Sequence, residues 1–290
     1  MKWEGHRESE NVEDARGGGG GRGLPIGGRG LSLGGVVLAL LASWVLGINP
    51  LTVLGLLSGD GGAVAPVQAP AGESHAQDPG YRFVKVVLAD TEDVWGAYFQ
   101  QQGQTYAPPK LRVFQGSEPT ACGRGEAAMG PFYCPADRKV YIDLAFYDTL
   151  RERLGAPGDF AQAYVIAHEV GHHLQNLMGT TARLDEARQR VSERAMNALS
   201  VRLELQADCF AGVWAQQSQR SKGWLEQGDI EEALNAAAQI GDDTLQKRSR
   251  GTVVPESFTH GSSAQRVRWF KRGMSSGDLK ACDTFAAAQL

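Results

Sequence analysis

A helix-forming stretch at residues 163–179, AYVIAHEVGHHLQNLMG, constrains the fold most, because it carries polar side chains on the middle turns of an apolar helix. Its alanine, valine and leucine residues recur at three- and four-residue spacing, which predicts one buried face. His168 and His172 are four residues apart, so both rings project from one face of the helix. Two imidazoles at this spacing can bind one Zn²⁺, and Glu169 stands where a carboxylate can accept a proton from an attacking water. The alternative is a solvent-exposed helix face that binds no metal.

The third ligand is predicted from a later apolar stretch, RLELQADCFAG at residues 202–212. A catalytic zinc site uses three protein ligands and leaves one position open. Glu204 and Asp208 are four residues apart on one face of a predicted helix, where two carboxylates among apolar neighbours need partners. The metal would satisfy Glu204, and a ring N–H of a ligating histidine would satisfy Asp208. Asp185 is the alternative third ligand, but it would require a tight return of the chain from the end of the first helix.

Short motifs spread over nearly the whole chain resemble one known family. They are WEGHRESENVEDARG, LGINP, GPFYCPADRKVYIDLAFYD, AHEVGHHLQ, ELQADCFAGVWA and SFTHGSSAQRVRWF. With these motifs the chain resembles the bacterial putative neutral zinc metallopeptidase family. HEVGHH followed by ELQAD resembles the gluzincins, in which a glutamate from a later helix completes the zinc site. The resemblance implies Zn²⁺-dependent hydrolysis of peptide bonds in a peptide or protein substrate, by a domain that follows a single membrane anchor.

Two further histidines have different predicted roles. His173 is adjacent to His172 and cannot share its face, so it is expected on the helix surface or behind the ligands. His260 lies in THGSSAQR, which is similar to the Thr-His-Pro segment and later arginine of membrane metallopeptidases of this class, with Arg266 at the arginine. This resemblance makes His260 a candidate catalytic donor to the oxyanion of peptide hydrolysis, and a capping or packing role is the alternative. The alternative donors are Tyr141 and Tyr147.

The N-terminal part of the chain predicts a membrane anchor. Residues 1–30 are polar and glycine-rich, which predicts a disordered cytoplasmic segment. Residues 31–57 contain no charged side chain and include an apolar run of about 18 residues, the length of a transmembrane helix. Lys and Arg residues precede this segment and none follows it before Arg82. The positive-inside rule therefore predicts a single-pass inner-membrane protein with a cytoplasmic N-terminus and a periplasmic catalytic domain in contact with the lipid bilayer through its anchor. A signal peptide cleaved after AVA at residues 63–65 is the alternative.

The rest of the chain predicts one domain after a linker. Residues 58–80 are rich in glycine, alanine and proline, which favours a flexible linker, and residues 81–290 form the zinc metallopeptidase domain. Helical patterns dominate, including an unbroken helix at residues 181–217, and residues 241–261 are expected to be a loop. Strands are expected at residues 111–115 and 139–143, and the second could be an edge strand that pairs with a substrate. The predicted fold class is α+β, a mostly helical zincin-like domain with a small sheet.

Charge and cysteine content narrow the possible partners and the compartment. The formal charge of −4 offers no basic stripe, so a nucleic-acid partner is not expected. None of the four cysteines lies in a CxxC pair, which argues against a thiolate zinc site. Disulfides Cys122–Cys134 and Cys209–Cys282 are predicted, and both require an oxidising compartment.

A second class of function fits the same zinc site. The protein could be a catalytically silent, zinc-stabilised envelope scaffold that binds other proteins without cutting them. Glu169 argues against this reading, because a structural zinc site needs no general base. Hydrolysis of a non-peptide amide is a third reading for which the sequence offers no discriminating feature.

Overall fold

Short strands from distant parts of the chain form the sheet. The computed structural model describes residues 1–16, 77–127 and 130–290. Its strands are β1 (Val12–Asp14), β2 (Lys110–Phe114), β3 (Ser117–Thr120), β4 (Gly123–Glu126), β5 (Phe132–Cys134) and β6 (Lys139–Asp143). The main sheet has the order β1-β2-β6-β5, and β3 and β4 form a separate hairpin. β1, β2 and β6 run parallel, whereas β5 is antiparallel to β6. The strands predicted at residues 111–115 and 139–143 are confirmed as β2 and β6.

The expectation that residues 139–143 form an edge strand is wrong. β6 pairs with β2 on one side and with β5 on the other, so both of its edges are occupied. The ring of Phe132 on β5 stacks on that of Tyr141 on β6, with centroids 5.0 Å apart. β5 takes the edge position instead. Its three residues are too few to show an alternating pattern, which is why the sequence did not reveal it.

Helices make up most of the described chain and confirm the mixed α+β class with a small sheet. They are α1 (Pro79–Gln101), α2 (Ala145–Asp148), α3 (Asp159–Leu177), α4 (Thr180–Arg188), α5 (Glu193–Lys222), α6 (Asp229–Gln239), α7 (Asp242–Arg250) and α8 (Ser263–Ser276). A π-helical turn, Thr149–Arg153, continues α2. Ser262 begins α8 with a capping box in which Gln265 returns the hydrogen bond.

Two helix predictions differ from the structure. The unbroken helix expected at residues 181–217 is divided into α4 and α5, and Ser192 caps α5 by accepting a hydrogen bond from the Ala195 N–H. The expected loop at residues 241–261 contains α7. This helix has little apolar surface, but Asp242 and Asp243 lie in its first turn and basic residues in its last turn, as the helix dipole favours. An apolar pattern alone could not predict it.

Glycines allow the helices around the site to approach closely. A Cβ atom at Gly171 of α3 would lie 3.1 Å from the Cα of Ala207 on α5. A Cβ atom at Gly273 of α8 would lie 1.9 Å from the carbonyl oxygen of Cys209 on α5. Only glycine permits the second approach, because real Cβ atoms do not come so close to backbone atoms. These contacts place α3 and α8 against the same segment of α5.

Both predicted disulfides are present. Cys122–Cys134 ties the β3–β4 hairpin to β5, with Cα atoms 5.8 Å apart. Cys209–Cys282 ties the C-terminal segment to α5, with Cα atoms 5.6 Å apart. The second bond closes a loop of 73 residues and lies beside Asp208.

The prediction of disorder at residues 1–30 is wrong for residues 1–16, which belong to the same compact unit as the described residues from 77 onward. β1 pairs with β2, and the Ser9 N–H donates to the Lys85 carbonyl of α1 at 3.0 Å. Charged side chains that suggested a solvated segment are instead paired. Glu8, for example, contacts Lys85 at 2.7 Å and Arg82 at 3.2 Å. The composition of residues 1–16 predicted that their charged side chains are solvated, because their partners lie far away in the sequence and cannot be recognised from it.

The predicted anchor at residues 31–57 lies outside the described residues, as do residues 17–30 and most of the predicted linker. Within the described ranges, no helix combines the length and apolar character needed to cross a membrane. The described end of the linker already belongs to the domain, because Asp78 caps α1 and Pro79 begins it. The domain therefore begins slightly before the predicted boundary at residue 81.

Candidate metal centre

Two neighbouring helices bring the three predicted ligands together. His168 and His172 lie one turn apart on α3, and Glu204 faces them from α5. Glu204 Oε2 is 3.2 Å from His168 Nε2, and Glu204 Oε1 is 3.4 Å from His172 Nε2. One ligand atom from each of the three side chains lies within 4.8 Å of the other two. Both imidazoles therefore present Nε2 to the carboxylate.

This donor set fits Zn²⁺. Tetrahedral zinc with bonds of about 2.0–2.1 Å separates neighbouring ligand atoms by about 3.3 Å. The two nitrogen-to-oxygen separations at Glu204, 3.2 and 3.4 Å, agree with this value. Two imidazole nitrogens and one carboxylate oxygen are also the ligand types of catalytic zinc sites that keep one position open. His168, His172 and Glu204 would hold the ion.

Asp208 fixes the orientation of His168 from behind. The side chain of Asp208 is fully buried, and its Oδ1 is 2.8 Å from His168 Nδ1. Arg266 of α8 donates to both oxygens of Asp208, at 2.8 and 2.9 Å, and Tyr164 of α3 donates its hydroxyl to Oδ1. With Nδ1–H directed at a carboxylate, Nε2 of His168 is left to face the metal position. The role predicted for Asp208 thus has the geometry it requires.

Charge within this cluster sets the protonation of its members. Burial opposes ionisation of Asp208, but the charges of Arg266 and His168 outweigh it and lower the pKa of Asp208 to about 2. Burial would also lower the pKa of His168, yet the charge and hydrogen bond of Asp208 raise it to about 10. The pKa of Glu204 is lowered, because the nearby histidines outweigh its burial. Glu204 and Asp208 are therefore anionic at neutral pH.

His172 is held by a different partner. Its Nδ1 is 2.8 Å from Oε1 of Gln175, which lies three residues later on α3 and is fully buried. Burial lowers the pKa of His172, which favours the neutral ring that binds a metal. Among the described residues, the partner of His172 Nδ1 is this amide, whereas the partner of His168 Nδ1 is the carboxylate of Asp208.

Glu169 is the predicted general base. It follows His168 on α3, and only 7% of it is exposed. Burial raises the pKa of Glu169 to about 7, the positive charge of His168 opposes this rise, and the negative charge of Glu204 adds to it. A carboxylate whose pKa lies near neutrality can accept and return a proton at physiological pH.

His260 lies in the segment that joins α7 to α8, and Asp242 of α7 holds it. Asp242 Oδ2 accepts the backbone N–H groups of Thr259, His260 and Gly261, at 2.7, 2.6 and 3.0 Å. The His260 ring is half-exposed, and its Nδ1 lies 3.2 Å from Asp242 Oδ1. The hydrogen bond to Asp242 raises the pKa of His260, and the positive charge of His260 opposes the rise in the pKa of Glu169 and adds to the lowering of the pKa of Glu204. His260 is therefore close enough to influence the centre electrostatically.

The alternative candidates lie elsewhere. Tyr141 donates its hydroxyl to Asp137 at 2.7 Å and packs in a small cluster beside the sheet. Tyr147 is buried in the main core against the ring of Phe83. Asp185 is exposed on α4 and is absent from the ligand cluster. None of these three side chains joins the three ligands.

His173 is fully buried and is not exposed on the helix surface. Its Nε2 lies 2.7 Å from the carbonyl oxygen of Ala107, which only accepts, so Nε2 carries the hydrogen. Its Nδ1 then accepts from the Tyr133 hydroxyl at 3.0 Å. Burial lowers the pKa of His173 to about 4. This neutral ring ties α3 to β5 and to the segment before β2.

Three residues that contact the predicted site residues were not predicted. Tyr164 precedes His168 by four residues, and Gln175 follows His172 by three, so helical spacing was the available signal for both. Asp242 had no such signal, because its partner His260 is 18 residues away and α7 itself was missed.

A groove of about 510 Å³ lies along the N-terminal half of α5. Its lining includes Asn197 and Val201 of α5 and Phe258 of the segment before His260. Val201 precedes Glu204 by three residues and therefore shares its helix face. The groove thus lies on the same face of α5 as the third ligand.

The two-helix cluster of two histidines and a glutamate, with a buried base beside it, defines a candidate catalytic zinc centre. The chain belongs to the family described as putative neutral zinc metallopeptidase, whose model matches residues 1–285. It is 52% identical over 292 aligned residues to Uncharacterized protein YpfJ of Escherichia coli (strain K12), covering 98% of this chain and 99% of the relative. It is 42% identical over 219 residues to Uncharacterized protein Rv2575 of Mycobacterium tuberculosis, covering 72% and 73% of the two chains. No solved structure matches it significantly.

Proposed function

We propose that the protein is a zinc-dependent peptidase of the gluzincin type, with a zincin-like catalytic domain, that hydrolyses peptide bonds in peptide or protein substrates. The observation that carries this proposal is Glu169, a buried carboxylate with a pKa near 7 beside a complete set of zinc ligands. A site that only stabilised the fold would not need such a group. Family membership supports the same class of chemistry.

A Zn²⁺ ion held by His168, His172 and Glu204 would supply Lewis-acid chemistry to the scissile carbonyl and to the attacking water. Glu169 accepts a proton from this water and passes it to the leaving amine. His260, with Nδ1–H directed at Asp242, has Nε2 available to donate to the developing oxyanion when the ring is protonated. Asp208 and Arg266 keep His168 in the orientation that it needs throughout.

The groove along α5 is the proposed place for a substrate side chain. Val201 and Phe258 give it an apolar floor on the face of α5 that carries Glu204. Asn197 already donates to the Glu256 carbonyl at 3.3 Å, so the polar lining is partly satisfied. The lining also includes Arg194, Arg202 and Glu256, so the groove offers both apolar and charged contacts to a substrate side chain.

The decisive test replaces the base. Glu169→Gln should retain zinc but cleave an unfolded protein substrate roughly 10²–10⁴-fold more slowly. Zinc content is measured by elemental analysis, and cleavage by mass spectrometry of the products. Glu152→Gln, at an exposed glutamate of the π-helical turn, is the matched control and should retain full activity. Undiminished cleavage by Glu169→Gln would reject the proposed mechanism.

The competing function is the zinc-stabilised scaffold. It predicts that the wild-type protein holds zinc, captures envelope proteins and cleaves none of them. The same two measurements separate the classes, because the scaffold would show no product with either wild-type protein or Glu169→Gln. Burial of Glu169 directly after His168, one of the three candidate ligands, favours the peptidase, because a structural zinc site needs no general base.

We also propose an extracytoplasmic location for the metal-binding unit, at the inner membrane. Two disulfides support an oxidising compartment. The lipid bilayer remains the proposed partner of residues 31–57, on the strength of their apolar sequence.

A further inference from the structure

We infer that Gln175 is the positioning residue for His172, in the role that Asp208 has for His168. Gln175 is fully buried on α3, and its Oε1 lies 2.8 Å from His172 Nδ1. Its Nε2 donates to the Leu203 carbonyl at 2.7 Å and to Gln206 Oε1 at 3.2 Å. Every polar atom of this amide therefore has a partner. The inference rests on the zinc site of the proposed function but not on its catalysis.

The partners of the amide fix its orientation. The Leu203 carbonyl only accepts hydrogen bonds, so the amide nitrogen of Gln175 must face it. Oε1 must then face His172, which requires the hydrogen of the His172 ring to lie on Nδ1. His172 Nε2 is left with its lone pair directed at the metal position, 3.4 Å from Glu204 Oε1. One neutral side chain thereby selects the tautomer of the second ligand.

The same amide joins the two ligand helices. Leu203 immediately precedes Glu204 on α5, so the bond from Gln175 to its carbonyl connects α3 to α5 at the level of the third ligand. Gln206 extends the network by donating to the Cys282 carbonyl at 3.0 Å. Cys282 is bonded to Cys209 of α5, so the C-terminal segment closes this network. Gln175 therefore controls both the orientation of His172 and its position relative to Glu204.

The test measures zinc affinity without a substrate, so it is independent of whether the protein cleaves peptides. Gln175→Met keeps the length of the side chain but removes the acceptor, and it should weaken zinc binding roughly 10–100-fold in a chelator competition. Gln206→Met is the matched control, because it removes buried amide bonds from the same network but leaves Oε1 of Gln175 in place.

Two results would overturn the inference. One is wild-type zinc affinity in Gln175→Met, and the other is an equal loss of affinity in Gln206→Met, which would indicate general destabilisation. A measurement on the wild-type protein covers the case in which Gln175→Met does not fold. Long-range ¹H–¹⁵N correlations of the zinc-loaded protein should show the His172 hydrogen on Nδ1, and a hydrogen on Nε2 would reject the proposal.

A second inference, from different contacts, concerns the side of the membrane on which residues 1–16 lie. These residues are built into the metal-binding unit. The Leu111 N–H donates to the Asn11 carbonyl at 2.9 Å, and the Ala15 N–H donates to the Val113 carbonyl at 2.8 Å. The ring of His6 lies 4.8 Å from that of Trp224. The unit thus holds this segment by main-chain bonds and by side-chain packing.

The chain leaves and re-enters the unit at one place. Arg16 forms an ion pair with Asp78, the residue that caps α1. An odd number of membrane crossings between these two residues would place them on opposite sides. We infer that residues 1–16 and the metal-binding unit lie on the same side, which replaces the predicted single-pass orientation. Basic residues counted as a cytoplasmic flank have structural partners, since Arg7 contacts Asp93 at 2.7 Å.

Cysteine labelling tests this arrangement in the full chain. The four native cysteines form disulfides, so a new cysteine is the main reactive thiol. Glu10→Cys reports on the N-terminal segment, and Ser275→Cys, on the exposed end of α8, reports on the metal-binding unit. A membrane-impermeant maleimide should label both sites in intact spheroplasts, or both only after permeabilisation. Labelling of one site with protection of the other would overturn the inference.

Discussion

The two candidate histidine ligands lie one turn apart on α3, yet different chemistry holds them. His168 donates to Asp208, which is buried together with the charge of Arg266 and the hydroxyl of Tyr164. His172 donates to the neutral amide of Gln175. The first network consists of ions that depend on one another, and the second consists of dipoles that connect two helices. The two rings are therefore oriented in equivalent ways, but the free-energy cost of losing a partner differs between the two networks.

The difference lies in what remains when one member is removed. A buried ion that loses its partner still carries the full desolvation cost of its charge. The desolvation cost of a buried amide that loses a partner is smaller, because the amide is neutral. Zinc binding should therefore respond to both networks, but the stability of the fold should respond mainly to the charged one.

The largest expected effect comes from Arg266→Met. It leaves the carboxylate of Asp208 buried without its cation and should lower the free energy of unfolding by about 3–5 kcal/mol. Urea unfolding monitored by tryptophan fluorescence measures the change. Arg268→Met, at an exposed arginine two residues later, should cost less than about 1 kcal/mol. Equal effects of the two variants would show that the charged network has no special weight.

A smaller effect is expected from Tyr164→Phe, which removes one hydrogen bond to Asp208 and leaves Arg266 in place. A hydrogen bond to a charged group contributes about 1.5–3 kcal/mol to the free energy of unfolding. Tyr147→Phe is the matched control, because the Tyr147 hydroxyl is buried without a hydrogen-bond partner in the described structure. Thermal unfolding should show a clear loss for Tyr164→Phe and none for Tyr147→Phe. Similar losses would mean that the bond to Asp208 contributes little.

The smallest effect concerns the exposed histidine, His260, and depends on pH. The pKa of Asp242 is lowered from 3.8, so its contribution to stability is lost as pH falls through that lowered value. The pKa of His260 is raised from 6.5, so its contribution is lost as pH rises through the raised value. Asp242→Asn should therefore destabilise the protein more near pH 6 than near pH 9, by up to about 1 kcal/mol.

Urea unfolding at the two pH values measures this difference. His260→Gln, which cannot be charged, should abolish the pH-dependent part of the Asp242→Asn effect. If Asp242→Asn destabilises the protein equally at both pH values, Asp242 stabilises the fold only through its hydrogen bonds to backbone N–H groups and not through the charge of His260.

Sequence spacing was sufficient to predict the cluster of ligands but not what holds it. His168, His172, Glu204 and Asp208 follow helical periodicity, a local rule that is visible without the fold. The structure places them as that rule requires, because α3 and α5 are the helices that were expected to carry them. The disulfide beside Asp208 was predicted on different grounds, because it would tie the C-terminal segment to the predicted ligand helix and explain a cysteine next to Asp208.

The rest depended on contacts between distant segments. Gln175 follows His172 by three residues, but only the approach of α5 gives its amide nitrogen two acceptors. α7 has a charged sequence with a weak apolar face, so its helix could not be separated from a loop by periodicity. β1 has three residues and exists only because β2 pairs with it. Elements that depend on a partner carry little signal of their own.

The pairing of β1 with β2 also sets an order of events during folding. Val12 aligns with Leu111, a separation of 99 residues, and His6 packs against Trp224 near the end of α5. Contacts of such large sequence separation form slowly, because a long stretch of chain must first be brought together. Residues 1–16 are synthesised well before Leu111 and Trp224, so their sheet position and packing are completed only after those later residues have been made.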